Sequence, residues 1–293
     1  TGNSEASNGS GGLVAVNLAT ANLTVDDRST VQVGVGASIT AGNNLVIEAL
    51  VAVNVDSDAN VINGGLVASP NTDATTTLNV TSNANLMSNI TMLAENITIS
   101  AENTKIDAKA TANSTVGAAV PIARSESKVT SNTFALVTLD AMEADDAITA
   151  QGTLTIIAKQ ADLSTISTAD AEVYGFAGTK SAIANNTQNS TTKITADAQT
   201  RLATRSLLVE ANSDYLPIIN TSASTPGFVL ISDDTQDENL TLDQNREIDF
   251  FAKVTLLGAR SPEIVINEHG LVEKLVNATL NGDTLHEGEL VNG

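Results

Sequence analysis

Oxygen-bearing side chains alternate along Asp56-Ser57-Asp58-Ala59-Asn60, with the spacing that opens a calcium-binding loop. Two positions depart from that motif, because Val61 stands where the loop needs glycine and Val67 stands where it needs a bidentate glutamate. Three valines precede the stretch at alternate positions, which would instead continue its acidic side chains along the outward face of a strand. Asp56 and Asp58 are therefore calcium candidates, with a strand face as the alternative.

A denser acidic cluster follows at Asp233, Asp234 and Asp237, and it is the second calcium candidate. Carboxylate oxygens are the ligands that Ca²⁺ prefers in proteins. Two acidic pairs, Asp26-Asp27 and Asp145-Asp146, are interpreted as turns instead. Calcium is the only cofactor that the sequence suggests, and no metal site is assigned from it.

The residues that usually carry catalysis are scarce. The chain has no cysteine, and its two histidines, His269 and His286, lack metal-ligand spacing and are expected at the surface. Residues 175–181 read Gly-Phe-Ala-Gly-Thr-Lys-Ser, whose spacing differs from that of a phosphate-binding loop. No Gly-x-Ser-x-Gly sequence occurs. We assign no catalytic or cofactor-binding residue and expect a non-enzymatic protein.

Two other functions remain as alternatives. A polysaccharide lyase or hydrolase would need neighbouring carboxylates and rings that stack on sugars, whereas aromatic residues make up only 2% of this chain. An ice-binding surface would need regular ranks of outward threonine. The threonines at 75–77, 153 and 155, and 191–192 do not fall at one repeat position, so the sequence does not favour that alternative.

Charge and composition restrict the partners. Thirty-four acidic and 14 basic residues give a formal net charge of −20, which would repel nucleic acid and anionic membranes. The same charge would keep a long exposed surface soluble. No apolar run is long enough to span a membrane, so we expect no membrane insertion in this segment. The first residues, Thr1-Gly2, lack Met and a signal peptide and are interpreted as part of something larger.

A glycine-containing anchor, first seen as Gly11-Gly12-Leu13-Val14-Ala15-Val16, recurs in degraded form along the chain. The second residues of its five copies lie at positions 12, 65, 117, 175 and 227, so the intervals are 53, 52, 58 and 52 residues. Small inward residues of the anchor, such as Ala15, Ala68 and Ala119, are expected to stack on one another in one column along the axis of the repeats. A fixed period of this size predicts a repeat architecture.

A second anchor keeps the same period. Leu45-Val46-Ile47-Glu48-Ala49 corresponds to stretches whose central residues lie at 99, 156 and 209, at intervals of 52, 57 and 53 residues. Alternation of apolar and polar residues around both anchors predicts short strands with one buried face. The sequence thus predicts an all-β fold, a parallel β-helix of about four repeats, each holding two or three coils. An array of β-sandwiches is the alternative fold.

The expected boundaries follow from the anchors. Residues 1–226 hold the β-helix, with repeats at about 11–63, 64–115, 116–173 and 174–225. Residues 227–293 form a β-rich cap or connector, in which two alternating stretches flank Glu268-His269-Gly270 and predict a hairpin.

These anchors, together with Pro262-Glu263-Ile264-Val265-Ile266-Asn267, resemble the repeats of very large bacterial surface proteins, the filamentous-haemagglutinin-like adhesins. The resemblance covers nearly the whole chain and implies a right-handed β-helix that is exported and displayed at the cell surface as an adhesive filament or stalk. It implies end-to-end self-association or association with other surface components. Glycans and host or cell surfaces are the further partners that such a role implies.

Overall fold

The computed structural model describes the backbone of residues 1–142, 147–212, 218–224, 227–257, 263–268, 271–275, 278–280 and 283–284. Side chains are described for residues 1–142, 147–212 and 234–257.

The chain is all-β, as the sequence predicts, and the described residues contain no helix. The strands are β1 Gly2–Val33, β2 Ser38–Thr40, β3 Asn44–Leu86, β4 Thr91–Ala94, β5 Asn96–Leu139, β6 Ile148–Gln160, β7 Leu163–Ala196, β8 Arg201–Asn212, β9 Ile218–Ser224, β10 Gly227–Phe250, β11 Lys253–Leu256, β12 Glu263–Glu268, β13 Leu271–Leu275, β14 Ala278–Leu280 and β15 Asp283–Thr284. All fifteen belong to one sheet. Asp26 and Asp27, expected in a turn, lie inside β1.

Every described strand pair is parallel except β14 with β15. The long strands stack in the order β1, β3, β5, β7 and β10, and we call each of these five a rung. Gly12 pairs with Gly65, so the chain returns to its own ladder after one whole repeat. The prediction of two or three coils per repeat is therefore wrong, because one repeat makes a single circuit.

The second anchor predicts the register residue for residue. Ile47 pairs with Ile99, Ile99 with Ile156 and Ile156 with Val209, and the column continues to Ile266 in β12. Ile47, Ile99, Ile156 and Val209 are all buried. Burial of large apolar side chains fixes this register, since a slip of one residue would turn each of them outward.

The glycine anchor predicts the register less well. Gly65 pairs with Ala118 rather than Gly117, and Val229 rather than Gly227 pairs with Gly175. The inward file that includes Ala15 and Ala68 continues to Pro121. The expected third member, Ala119, is only half-buried. Glycine has no side chain to bury, so its position can drift by a residue between rungs without loss of core contact.

Each rung bends at the glycine anchor and runs back along itself. Inward residues are odd-numbered before the bend, as at Val61 and Asn63, and even-numbered after it, as at Ala68. The hydroxyls of Ser57 and Thr76 meet at 2.8 Å across the interior, although they are 19 residues apart in one strand. We call residues 44–63 and their equivalents in other rungs the outgoing leg, and residues 68–86 and their equivalents the returning leg.

The core narrows from the closed end of each circuit towards the bend. Large side chains such as Ile90, Met92 and Ile97 fill the wide end, whereas alanines dominate beside the bend. Between the two ends the legs face each other closely. One column consists of five alanines at 6, 59, 112, 169 and 223, of which Ala59, Ala112 and Ala169 are buried. Small side chains allow this close approach, which accounts for a core built almost without rings.

A polar seam also runs through the interior. Asn103 is fully buried, and its Oδ1 accepts a hydrogen bond from Ser82 Oγ at 2.7 Å. Its Nδ2 donates to the Phe134 carbonyl at 3.1 Å and to Gln160 Oε1 at 2.8 Å. The side chain thus ties both legs and two neighbouring rungs together, and its buried polar atoms are paired as burial requires.

The ladder continues past residue 226. Gly227–Phe250 pairs in parallel with β7, in a stretch that the sequence assigns to a C-terminal cap or connector. β12 pairs in parallel with β8, and β13 pairs in parallel with β10. Among the described residues β12 and β13 do not pair with each other, so the hairpin predicted around His269 is wrong. Each short strand instead extends an existing ladder.

Candidate functional surfaces

The calcium candidates Asp56 and Asp58 lie on the outward face of the outgoing leg in β3, where the strand-face alternative places them. Lys109 stacks on Asp56, and its Nζ lies 3.4 Å from Asp56 Oδ2. Asp58 lies between Glu5 and Thr111 in its column. The cation beside Asp56 is thus a lysine of the next rung.

Asp234 and Asp237 belong to β10 and not to a loop. Asp234 stacks on Lys180, whose side chain is only 7% exposed, and Oδ2 lies 3.2 Å from the Lys180 Nζ. Asp237 stacks on Ile183 and is exposed. The side chain of the third candidate, Asp233, lies outside the described residues. Within the described part of the chain, no group of three or more acidic or histidine side chains could hold a metal ion.

The stretch that differs in spacing from a phosphate-binding loop lies within a strand, and the two histidines lie outside the described residues. Residues 175–181 lie inside β7, not at the start of a helix. A side chain at Gly178 would collide with the Pro121 carbonyl oxygen of the rung below, so this glycine serves close backbone packing. His269, His286 and the pair Asp145-Asp146 lie outside the described residues.

The outward face of the returning leg carries an uninterrupted threonine column. Thr24, Thr77, Thr130, Thr187 and Thr241 pair successively from β1 to β10. Of the threonines singled out from the sequence only Thr77 belongs to this column, so the rest of the regular rank is formed by single threonines outside those runs. None of these five hydroxyls has a hydrogen-bond partner among the described residues, so all five are available to solvent or a ligand.

An asparagine column runs beside the threonines, two residues further along each rung. Asn79 Nδ2 donates to Asp26 Oδ1 at 2.6 Å. Asn132 then donates to Asn79, and Asn189 donates to Asn132, each at 2.8 Å. Asp243 stacks on Asn189 at the other end of the column. These hydrogen bonds fix the amide planes in a row along the axis. We call the threonine and asparagine columns together the Thr–Asn face.

The outward face of the outgoing leg has no comparable order. The column through Asp58 reads Glu5, Asp58, Thr111, Thr168 and Ser222. An open groove crosses this leg and is lined in part by Asn60, Asn113, Asp170 and Glu172. Asn60 and Asn113 stack on each other there, but the next residue in their column is Asp170, so the groove offers no regular template over the whole stack.

Apolar side chains emerge at the bend. Leu13, Leu66 and Phe176 are 79%, 57% and 67% exposed. Phe176 belongs to the fourth copy of the glycine anchor, and it is exposed because the anchor forms the bend. Leu13 and Leu66 follow paired glycines in neighbouring rungs. The chain turns too tightly there for these side chains to point inward.

Among the described residues, Asp73 and Lys193 carry a charge and have shifted pKa values. Burial raises the pKa of Asp73, the nearby Glu126 carboxylate adds to that increase, and Arg124 partly offsets it. Lys193 contacts Glu247 at 2.9 Å and Asp249 at 2.8 Å. Its burial lowers its pKa, but hydrogen bonds and charge attraction from the two carboxylates outweigh that effect and raise it. Repulsion between Asp73 and Glu126 opposes the stacking of adjacent rungs, whereas the ion pairs of Lys193 with Glu247 and Asp249 stabilise it.

A sequence signal for the Thr–Asn face existed. Threonine followed two residues later by asparagine or aspartate occurs at 24, 77, 130, 187 and 241, at intervals of 53, 53, 57 and 54 residues. The runs of threonine do not reveal this column, because a column requires only one threonine per circuit.

Comparisons of the chain with protein-family models, with curated proteins and with solved structures gave no match. Among the described residues there is no helix with the length and apolar character needed to cross a membrane. The arrangement itself offers stacked, regularly spaced polar columns, and among the described strands β1 and most of β10 are paired on one side only. Such features suit recognition of another periodic surface or of a second copy of the same ladder.

Proposed function

We propose that this chain is a non-enzymatic, extracellular segment of a bacterial surface protein, folded as a right-handed parallel β-helix and assembling end to end into a stalk or adhesive fibre. The resemblance of its anchors to filamentous-haemagglutinin-like repeats supports the location and the handedness. The observation that carries the proposal is the pair of sheet edges, because unpaired parallel strands are templates for further strands.

The first edge is β1, which pairs only with β3 among the described strands. The other is the greater part of β10, since β13 covers only its last residues. Leu240 and Leu242 are 55% and 46% exposed on this edge, although Asn186 and Gln188 in the same columns of β7 are buried. Inward side chains that remain exposed at an end rung would be covered by one more rung.

A second copy of β1 can supply that rung in register. If the columns continue across the junction, Leu23 of the second copy lies over Leu240 and its Val25 lies over Leu242. Thr24 then lies over Thr241, which continues the threonine column from one copy to the next. Apolar burial and identical neighbours both favour this register.

One pair opposes the junction. Asp26 of the second copy would stack on Asp243, at the strand spacing of about 4.8 Å, and the two carboxylates would repel each other. Inside the molecule the equivalent step is favourable, because Asn79 donates to Asp26. A divalent cation between the carboxylates would remove the repulsion, so added Ca²⁺ is expected to lengthen the fibres.

The substitution Asp26→Asn tests this register. Asn at position 26 can donate to Asp243 of the preceding copy, as Asn79 donates to Asp26, and we expect longer fibres that need less Ca²⁺. Asp58→Asn removes the same charge from the middle of the stack and is the matched control. Fibre length is measured by negative-stain electron microscopy and sedimentation. A native chain that stays monomeric with and without Ca²⁺, or equal effects of the two substitutions, would refute the proposed assembly.

A further inference from the structure

The Thr–Asn face has a regularity that stacking alone does not require. Other outward columns of the same leg change residue type from rung to rung, such as Asn22, Thr75, Lys128, Asn185 and Asn239. Those columns form the same ladder with the same backbone pairing. The threonine column instead holds one residue type in all five rungs.

The face is also rigid before any ligand arrives. Threonine is restricted at χ1 by its branched Cβ, so each hydroxyl and methyl group has few alternative positions. The amides of Asn79, Asn132 and Asn189 are held by hydrogen bonds along the column. A surface that is already ordered loses little conformational entropy on binding.

We propose that the Thr–Asn face binds crystalline water, that is, an ice surface. Hydroxyl groups recur about every 4.8 Å along the axis, and the amide column lies about 7 Å to the side, two residues along the strand. These spacings are close to repeat distances of the water lattice on a prism face of hexagonal ice. The hydroxyls and amides replace lattice hydrogen bonds, and the threonine methyl groups fill hollows between water molecules.

The charge distribution agrees with an uncharged crystalline ligand. In the middle three rungs the two columns contain only threonine and asparagine, in a chain whose net charge is −20. Charged groups hold liquid water strongly and would oppose contact with a lattice. A soluble glycan fits this face less well, because glycan-binding sites use aromatic rings that stack on sugars. In the middle three rungs the column next to the asparagines contains one ring, that of Phe134.

The test measures the fraction of protein that a slowly growing ice hemisphere takes up from dilute solution. The native chain is compared with Thr130→Lys/Thr187→Lys, which places two charges in the middle of the face. The matched control is Thr111→Lys/Thr168→Lys, which changes the same two rungs on the opposite leg. Circular dichroism and melting temperature verify that all three proteins are folded alike.

We expect the native chain and the control to enter the ice, and the Thr130/Thr187 variant to enter about tenfold less, a change equivalent to about 1.4 kcal/mol of binding free energy. If that variant is unfolded, the substitution Asn132→Asp replaces it in the test. This change adds one charge to the same face without changing side-chain size, and we again expect about tenfold lower uptake into ice.

Three results would overturn the proposal. The first is exclusion of the native chain from ice. The second is a loss of ice uptake in the control as large as that in the Thr130/Thr187 variant. The third is binding of the protein to insoluble chitin or cellulose without any uptake into ice. Ice uptake is scored on monomeric protein without Ca²⁺, so its failure is distinguishable from failure of fibre assembly.

Discussion

Replacement of Asn103 by leucine should be among the most destabilising changes in the chain. Leucine has a similar size, so the change removes polarity with little loss of volume. Three hydrogen bonds disappear, those to Ser82, the Phe134 carbonyl and Gln160. At about 1 kcal/mol for each bond, plus about 1–3 kcal/mol for the buried Gln160 oxygen left without a donor, the cost is about 4–6 kcal/mol.

The control is Asn113→Leu in the same strand. Asn113 lies on the outward face, and its Nδ2 donates one hydrogen bond, to Asn60 at 3.0 Å. We expect this change to cost about 1 kcal/mol, the usual contribution of the one hydrogen bond that it removes. Urea unfolding of both variants gives the midpoint and the slope, and an unchanged slope assigns the difference to stability.

A second substitution separates the polar seam from simple packing. Adding Gln160→Leu to Asn103→Leu removes the orphaned oxygen, so the double variant should lose less than the sum of the two single variants by about 1–3 kcal/mol. Additive losses, or an Asn103→Leu variant no less stable than Asn113→Leu, would refute the view that this seam joins the two legs.

Two further predictions concern the bend and a strained carboxylate. A methyl group at Gly65 would collide with the Gly12 carbonyl oxygen, so Gly65→Ala should lower the free energy of unfolding by about 1–3 kcal/mol, whereas Gly34→Ala, with open space around the added carbon, should change it little in thermal unfolding. The pKa of Asp73 is raised in the folded state by burial and by Glu126, so the protein should gain stability as the pH falls through that raised value towards the ordinary 3.8. Asp73→Asn should therefore be more stable than the native protein at neutral pH, and this advantage should shrink on acidification; a difference in melting temperature that stays constant from neutral to acid pH would contradict the assignment.

The sequence predicted the parts of the fold that depend on large buried side chains. Ile47, Ile99, Ile156 and Val209 are all buried, so their spacing reports the register directly. The length of a circuit was not predictable in this way, because polar residues occupy some inward positions on both legs and hide which positions face each other. Ser57 and Thr76 read as polar positions, whereas they are buried and bonded to each other.

The surfaces were harder to foresee. Asp56 was placed on the correct outward face by alternation alone, but its partner Lys109 lies 53 residues further along. The threonine column depends on register over the whole chain, and an error of one residue, such as that at Gly117, is enough to conceal it. Periodicity of single residues at the length of one circuit would have revealed it.

The single long circuit has a mechanical consequence. Because one turn of the chain takes an entire repeat, β3 and β5 share a ladder that runs with one register shift from Asn44 to Leu86. Tension along the axis is then divided among some forty residues at each level, and all must separate together. A force that lifts one end of a rung breaks the hydrogen bonds of that rung one after another. The same filament should therefore resist pulling far better than peeling.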